Sequence, residues 1–422
     1  MTRSDLAHAG PGGAVRAVYR RTFESVRLHR NYRLFFGGQL VSQLGSWVQK
    51  VAQGWFVLQA GQAHAGTALG VLVVCQFAPY TVLGLFGGAL CDRLDHHRAL
   101  IVSQALSMLC AAALAALAFG GGLRIWQVDV LAVIQGVVMI VDTPLRQAFV
   151  LQLVGRAQLP NAVSLNVSVF NLARTAGPAL GGIAIAALGL AWCFLVNALS
   201  FLAVLAGLLL MRRTELQLPE PAGVSRSVRG IVRDTGATFR YTLRSRVSLI
   251  VLILVGVVAT LGTSFNVTLP VVTGELHANA AVLGILFSCY GIGALLGALG
   301  MAGVGRTGVP MLLWSCVALG AAEAMLVPQH TVLGTGIVLA GAGSALSVFT
   351  ANASSTLQLS VPAELRVRLL ALYSFLWIGT APLSGPLAGV LSDRGGPGLV
   401  FAVAGITLAI LAGFAGWIWR RR

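Results

Sequence analysis

Long apolar runs separated by short polar breaks set the rhythm of this chain. They cover residues 34–58, 68–90, 99–119, 127–150, 162–188, 191–211, 247–272, 281–303, 310–328, 331–352, 368–391 and 397–419. A helix needs about 20 apolar residues to cross roughly 30 Å of hydrocarbon. Helices also pair all their backbone polar groups internally, which a spanning segment must do where there is no water. The pattern predicts an all-α integral membrane protein of twelve transmembrane helices. The longest polar connection lies at the middle. The expected domains are an N-terminal segment at 1–33, a six-helix bundle at 34–211, a linker at 212–246 and a second six-helix bundle at 247–419.

Within the linker, Val228, Ile231, Val232 and Phe239 share a helical face among arginines. An amphipathic helix on the membrane surface fits there, as does one at 14–30. A solvated linker with scattered arginines is the alternative. The two halves also echo each other. Leu69–Cys75 matches Leu283–Cys289, Gly177–Gly181 matches Gly385–Gly389, and Leu151–Leu153 matches Leu357–Leu359, in order and at nearly constant offset. Such a duplication predicts two pseudo-symmetric bundles with a binding site near their interface.

Composition sharpens the picture. Hydrophobic residues make up 57% of the 422 positions and charged residues 10%, with a mean hydropathy of +0.84. An ordinary soluble domain carries about 25% charged residues, so this chain cannot cover itself with a water-facing surface. The net charge of +16 would suit a nucleic-acid binder only if it were gathered on one patch. Instead the basic residues alternate with the spans. On one side lie the two termini, the linker and the loops between even and odd spans, and nearly all of the arginines. The other side has Arg124 and Arg394, while Lys50 and Arg174 fall inside spans. The positive-inside rule then puts both termini in the cytoplasm and requires an even number of passes. The first 33 residues are polar and Arg-rich, unlike a cleaved signal peptide, so the first span is expected to act as an uncleaved signal. The six cysteines lie in or at the ends of apolar runs without a Cys-x-x-Cys pair, and read as small buried apolar residues.

Polar residues recur inside the apolar runs at helical spacing. Gln39, Gln43, Ser46, Lys50 and Gln53 share one face of the first span. Span four carries Asp129, Gln135, Asp142 and Arg146. Span five carries Asn161, Ser164, Ser168, Asn171 and Thr175, with Arg174 beside the stripe; span eleven carries Tyr373, Trp377, Thr380 and Ser384. These faces must meet protein or water. A shared central cavity satisfies them together, and helix-to-helix hydrogen bonding is the alternative. An ionisable group in a span costs about 2.5–3.5 kcal/mol against lipid, so Lys50, Asp142 and Arg174 are functional candidates. Asp142 is within reach of Arg174 and, as an i,i+4 neighbour, of Arg146. Two cations and one acid predict an electropositive cavity and an anionic or oxygen-rich ligand, with Trp47, Phe170, Tyr290 and Trp377 available for aromatic contact. Glu323 in span nine is expected near the outer surface or against a neighbouring helix.

Four stretches carry a resemblance: Asn31–Gln49, Asp142–Phe149 with Leu159–Asn166, Arg174–Gly182, and Gly88–Arg98. Together they resemble the major facilitator superfamily, and within it the bacterial exporters that include the enterobactin exporter and macrolide efflux pumps. The resemblance implies the major facilitator fold and a place in the bacterial inner membrane. It also implies secondary transport by alternating access. It assigns a gating role to Gly88, Asp92, Arg93 and Arg98, at the loop after span two. Here His96 and His97 stand where arginines are usual and Asp95 where glycine is usual. The stretch Gly177-Pro178-x-x-Gly181-Gly182 resembles a motif of exchangers, and ordinary small-residue packing is its alternative.

No Walker A loop, His-Glu-x-x-His or Gly-x-Ser-x-Gly occurs. The expectation is therefore no enzyme and no cofactor, with an ion gradient as the energy source and Asp142 as the candidate proton carrier. The expected partners are a small-molecule substrate, protons and membrane lipids, with no nucleic acid and a monomeric chain. Substrate-path candidates are Gln39, Gln43, Trp47, Lys50, Gln53, Asn171, Arg174 and Trp377; gating candidates add Arg146, Gly177 and Pro178. A siderophore or drug exporter heads the function classes. An uptake carrier for a nutrient or lipid and a non-transporting receptor or scaffold are the others.

Overall fold

The structure, a computed structural model, describes residues 22–91, 94–217, 242–304 and 307–420. Asp92 and Arg93 lie outside the described residues, as do 14–21 of the surface helix expected at 14–30 and 228–241 of the one expected at 228–246; of the first, Glu24–Leu28 is helical. After a short helix at Glu24–Leu28, the longer helices are α1 (Arg30–Gly61), α2 (Ala65–Cys91), α3 (His96–Phe119), α4 (Ile125–Leu188), α5 (Leu190–Leu209), α6 (Arg246–Leu261), α7 (Phe265–Glu275), α8 (Ala280–Val304), α9 (Val309–Leu326), α10 (Val332–Ser360), α11 (Ala363–Gly379) and α12 (Ala381–Arg420).

Among the described residues, nine helical stretches are long and apolar enough to cross a membrane, and three of them run 55, 64 and 53 residues. A straight helix of 64 residues would be about 96 Å long, roughly three times the hydrocarbon thickness. Each long stretch is broken. The first turns through a 3-10 segment at Gln62–His64. The second has non-helical backbone at Gly155, with φ 71°, and the third at Gly395 and Gly396, with φ 69° at Gly396. A positive φ is strained for a residue with a Cβ, which is why glycine serves at 155 and 396; at the first break Gln62 takes it, with φ 47°. The breaks fall between apolar runs read from the sequence.

One expected run is itself interrupted. Residues 247–272 form α6 and α7, separated at Gly262–Ser264. There Thr260 and Thr263 turn their hydroxyls back onto the carbonyls of Gly256 (2.8 Å) and Ala259 (2.6 Å), which weakens the continuing helix.

The exterior is apolar. Val102, Leu106 and Leu109 on α3, Val196, Leu199 and Leu202 on α5, and Trp314 on α9 are exposed. Patches of this kind on a soluble monomer would drive association; in hydrocarbon they are the solvated face.

At the end carrying the termini, Asn31 exchanges hydrogen bonds with the backbone of Arg212 (2.9 and 3.1 Å), and Arg30 donates to the Leu210 carbonyl at 3.1 Å. The Tyr32 hydroxyl donates to the Ala162 carbonyl at 2.9 Å. This ties the start of α1 to α4 and to the chain leaving α5. The helices before 212 meet those after 246 mainly where α2 packs on α12 and α4 on α8. Those contacts crowd at the end away from the termini. Gly66 and Gly70 of α2 press against the backbone of Gly389 and Gly385, and Gly182 of α4 against Ala280 and Gly284 of α8.

Candidate functional site

The polar face of α1 does not act as one unit. Its lower part belongs to a closed network. Asp142 on α4 accepts hydrogen bonds from the Ser103 hydroxyl (2.7 Å), from Gln104 Nε2 (2.6 Å) and from Arg146 Nε (2.5 Å). Arg146 Nη1 also donates to Gln39 Oε1. One carboxylate and one guanidinium thus tie α1, α3 and α4 together. The partner of Asp142 is Arg146, one helical turn away, rather than Arg174. A carboxylate held by three donors, one of them a guanidinium, joins three helices in the geometry of a clamp.

The upper part of the α1 face opens on a cavity. Ser46, Gln49, Lys50 and Gln53 line it, together with Gln76 and Phe77 of α2, Cys110 and Leu114 of α3, Gln135 and Met139 of α4, and Asn197 and Phe201 of α5. Its volume is about 110 Å³, room for several waters at roughly 10–15 Å³ each. Amides pair along the wall: Asn197 Nδ2 donates to Gln49 Oε1 at 2.7 Å, and Gln76 Nε2 reaches Gln53 Oε1 at 3.5 Å. Lys50 is exposed to this space, and its ammonium lies 4.5 Å from the Trp47 ring centroid. A cation over an aromatic face is held electrostatically without being neutralised. Among the described residues no carboxylate pairs with it.

Phe77 also borders a second cavity of about 200 Å³ between the two halves, lined by Val73, Ser264, Asn266, Trp377 and Ser384. Trp377 stacks on Tyr373 at 6.4 Å, so the candidate Trp377 faces this second space rather than Lys50. Arg174 sits at the contact between α4 and α8, half-buried, with its Nε unbonded. Neither Arg174, Gln43, Asn171 nor Phe170 lines either cavity. The charge of the first cavity therefore comes from Lys50 alone.

Gly177 and Pro178 are at a junction of three helices. A Cβ on Gly177 would lie 2.5 Å from Trp47 Cβ, and one on Gly181 3.1 Å from Val48 Cα, so this edge of α4 packs on α1. The opposite edge, the Pro178 carbonyl and Gly182, packs on α8 at Gly284. Close backbone approach is the reason for small residues here.

Around the loop after α2, Gly88 lies in the last turn of that helix. The residues that depart from the family pattern each have a structural use. Asp95 caps α3, accepting from the Arg98 backbone at 3.1 Å, with Arg98 Nε at 3.6 Å. The Arg98 N–H holds its carboxyl below the usual carboxylate range; desolvation opposes this, and the charges of Arg98, Arg213 and His97 add to it. His97 is buried against the Leu208 carbonyl at 2.8 Å, and His96 meets Gln152 at 2.7 Å.

At the far end, Asp393 of α12 accepts from the Gly66 and Thr67 backbone N–H groups (2.8 and 2.9 Å) and from the Thr67 hydroxyl (2.5 Å). An acid of one half thus caps the first turn of a helix from the other, where a helix favours negative charge. Sequence reading missed this contact, because its partners stand more than 320 positions apart.

A family model described as transmembrane secretion effector matches residues 25–420. The staphyloferrin A transporter of Staphylococcus aureus is 28% identical over 270 residues, 63% of this chain and 66% of that protein. The multidrug efflux pump Tap of Mycolicibacterium fortuitum is 28% identical over 396 residues, 91% of this chain and 94% of that protein. Among solved structures, the nucleoside transporter NupG superposes with a TM-score of 0.73 at 12% identity, over 90% of this chain and 99% of that one. A bacterial homologue of the iron transporter ferroportin, in an inward-facing state, gives 0.67 at 16% identity, over 93% and 99%. At these identities the solved structures speak for the fold alone.

Proposed function

We propose, from the premise that this chain belongs to the transmembrane secretion effector family within the major facilitator superfamily, that it exports a small amphipathic molecule by proton antiport. On this reading the bundles at 34–211 and 247–419 rock about the 212–246 linker. Twelve passes put both termini in the cytoplasm of a bacterial inner membrane, and the chain works as a monomer. The end where α2 meets α12 and α4 meets α8 is then the outer side, closed in this conformation. Gly177, Pro178 and their neighbours are the surface on which the halves pivot. Asp142, Arg146 and Gln39 hold the inner ends of α1, α3 and α4 in register, and gating at the loop after α2 falls, by the family resemblance, to Gly88, Asp92, Arg93 and Arg98.

The observation that carries the substrate class is the unpaired Lys50 in a cavity otherwise walled by amides and by Phe77, Leu114, Leu131, Met139 and Phe201. Such a wall suits a solute with an apolar body and carboxylate or carbonyl acceptors. A siderophore with such acceptors is one candidate, and a relative named as a staphyloferrin A transporter supports a siderophore. A drug with acceptor oxygens is the neighbouring possibility, supported by the efflux pump Tap.

The test uses everted membrane vesicles containing the full chain and an iron-free citrate-based siderophore. Export predicts accumulation inside the vesicles when their lumen is acidified. Lys50→Gln should weaken apparent affinity by about 1.5–3 kcal/mol, roughly 10- to 150-fold, the scale of a hydrogen bond to a charged group. Equal affinity in the variant removes the charge reading. Accumulation only in right-side-out vesicles would mean uptake, and no flux in either orientation would mean a receptor or scaffold.

A further inference from the structure

Glu323 is 0% exposed, and neither of its carboxyl oxygens has a hydrogen-bond partner among the described residues. An ionised carboxylate in that setting would have lost its water with nothing to replace it. Asp142 offers the contrast, with three donors on its two oxygens.

The surroundings give Glu323 two neighbours of different kinds. One turn further along α9, Leu326 joins Phe401 in the lining of a cavity of about 440 Å³ at the end away from the termini. Glu275, His277, Gln329 and His330 line the same cavity. Phe265 lies between Phe401 (6.2 Å) and Tyr290 (4.7 Å), its ring tilted against both. Tyr290 is close enough to feel the charges of both Glu323 and Arg174. One turn before Glu323, Leu319 fills the space at Gly262, where α6 breaks from α7.

We infer that Glu323 binds the coupled proton, exchanging it with the polar vestibule beyond Leu326 and Phe401. The step is a proton transfer only: the carboxylate takes a proton from vestibule water and becomes a neutral acid in the buried state, and gives it back when that state opens. The ionisable groups around it are few. Cys316 lies on its own helix and interacts with it, Tyr290 faces it from α8, and Arg174 of α4 stands behind Tyr290. The helix α10 has no ionisable residue. Within α6 and α12 the ionisable residues are Arg246, Asp393, Arg394 and Arg420, all at helix ends or at the break. Glu275, His277 and His330 belong to the vestibule. This inference relies on the exporter reading for the word coupled, and not for the bound proton.

The first test reads the proton without any substrate. Infrared difference spectra of the full chain in lipid, in H2O and D2O, should show a protonated carboxyl C=O stretch at neutral pH. The band should vanish in Glu323→Gln and persist in Asp142→Asn. A wild-type spectrum without the band, or its survival in Glu323→Gln, overturns the assignment. The second test reads coupling, with the citrate-based siderophore as probe. Glu323→Gln should lose pH-gradient-driven accumulation while keeping counterflow of the same solute, a split that a merely structural role would not produce. Gradient-driven accumulation equal to wild type overturns the coupling role. If wild type moves no solute at all, the exporter reading fails, while the infrared result still decides whether Glu323 holds a proton.

Discussion

Gly182 offers the sharpest perturbation of the closed end. A Cβ there would lie 2.5 Å from the Ala280 carbonyl oxygen, 3.0 Å from Gly284 Cα and 3.1 Å from Ala281 Cα. All three atoms are backbone, so no rotamer change relieves the overlap. A carbon-to-carbonyl contact of about 3.3 Å would require α4 and α8 to separate by roughly 0.8 Å at this point. Overpacking of this kind costs about 1–3 kcal/mol. The cost falls only on the conformation in which these helices touch, so Gly182→Ala should lower its population about 5- to 150-fold relative to the alternative. Spin labels at Leu188 and His277, in a cysteine-free background, would report this by pulsed electron resonance as a shift to longer distances. Gly300→Ala on α8 is the control, because a Cβ there meets nothing within 4 Å. If Gly182→Ala left the distance distribution unchanged, or Gly300→Ala moved it equally, the packing of α4 on α8 would not set the closed state.

Three further outcomes follow from contacts described above. Asp393→Asn keeps the shape but not the charge at the first turn of α2; hydrogen bonds to charged groups exceed neutral ones by about 1–2 kcal/mol, so labels across α2 and α12 should also move apart. Arg146→Gln should destabilise the protein by about 1–3 kcal/mol, the cost of leaving the part-buried Asp142 carboxylate without its partner, read as a lower melting temperature in detergent. Adding Asp142→Asn should restore part of that loss, and strict additivity of the two changes would refute the pairing. Asp95→Ala should cost about 0.5–2 kcal/mol for the lost cap. Because the folded-state acid is held below its ordinary value, the stabilisation is full above the unfolded value and is lost as pH falls through the folded one. The difference between wild type and variant should therefore shrink below pH about 4.

The membrane character was legible because hydrocarbon demands long uninterrupted apolar runs, and the turns of the three longest helical stretches fall between the runs. The interruption of 247–272 at Gly262–Ser264 was not legible, because a short polar-and-small stretch inside an apolar run does not change its average. At the site, the stripe of Gln39, Lys50 and Gln53 was visible from spacing alone. Spacing could not separate Gln39, locked under Arg146, from Lys50, open to the cavity. It also passed over Gln49, which sits one position off the stripe and meets Asn197 from α5. Asp142 was visible as an acid inside an apolar run, but its donors Ser103 and Gln104 come from another helix. Glu323 gave the opposite signal. A lone acid near a helix end fits the outer surface or the side of a neighbouring helix, and only the packing of α9 places it inside.

Lys50 is the chain's single lysine. A side-chain amine reagent therefore has one address inside the protein, and that address is a chamber wall. Its rate of modification becomes a direct gauge of how often the chamber admits a solute, and from which face of the bilayer. The twenty-eight arginines contribute no background to that reading, since a guanidinium stays protonated and unreactive toward such reagents.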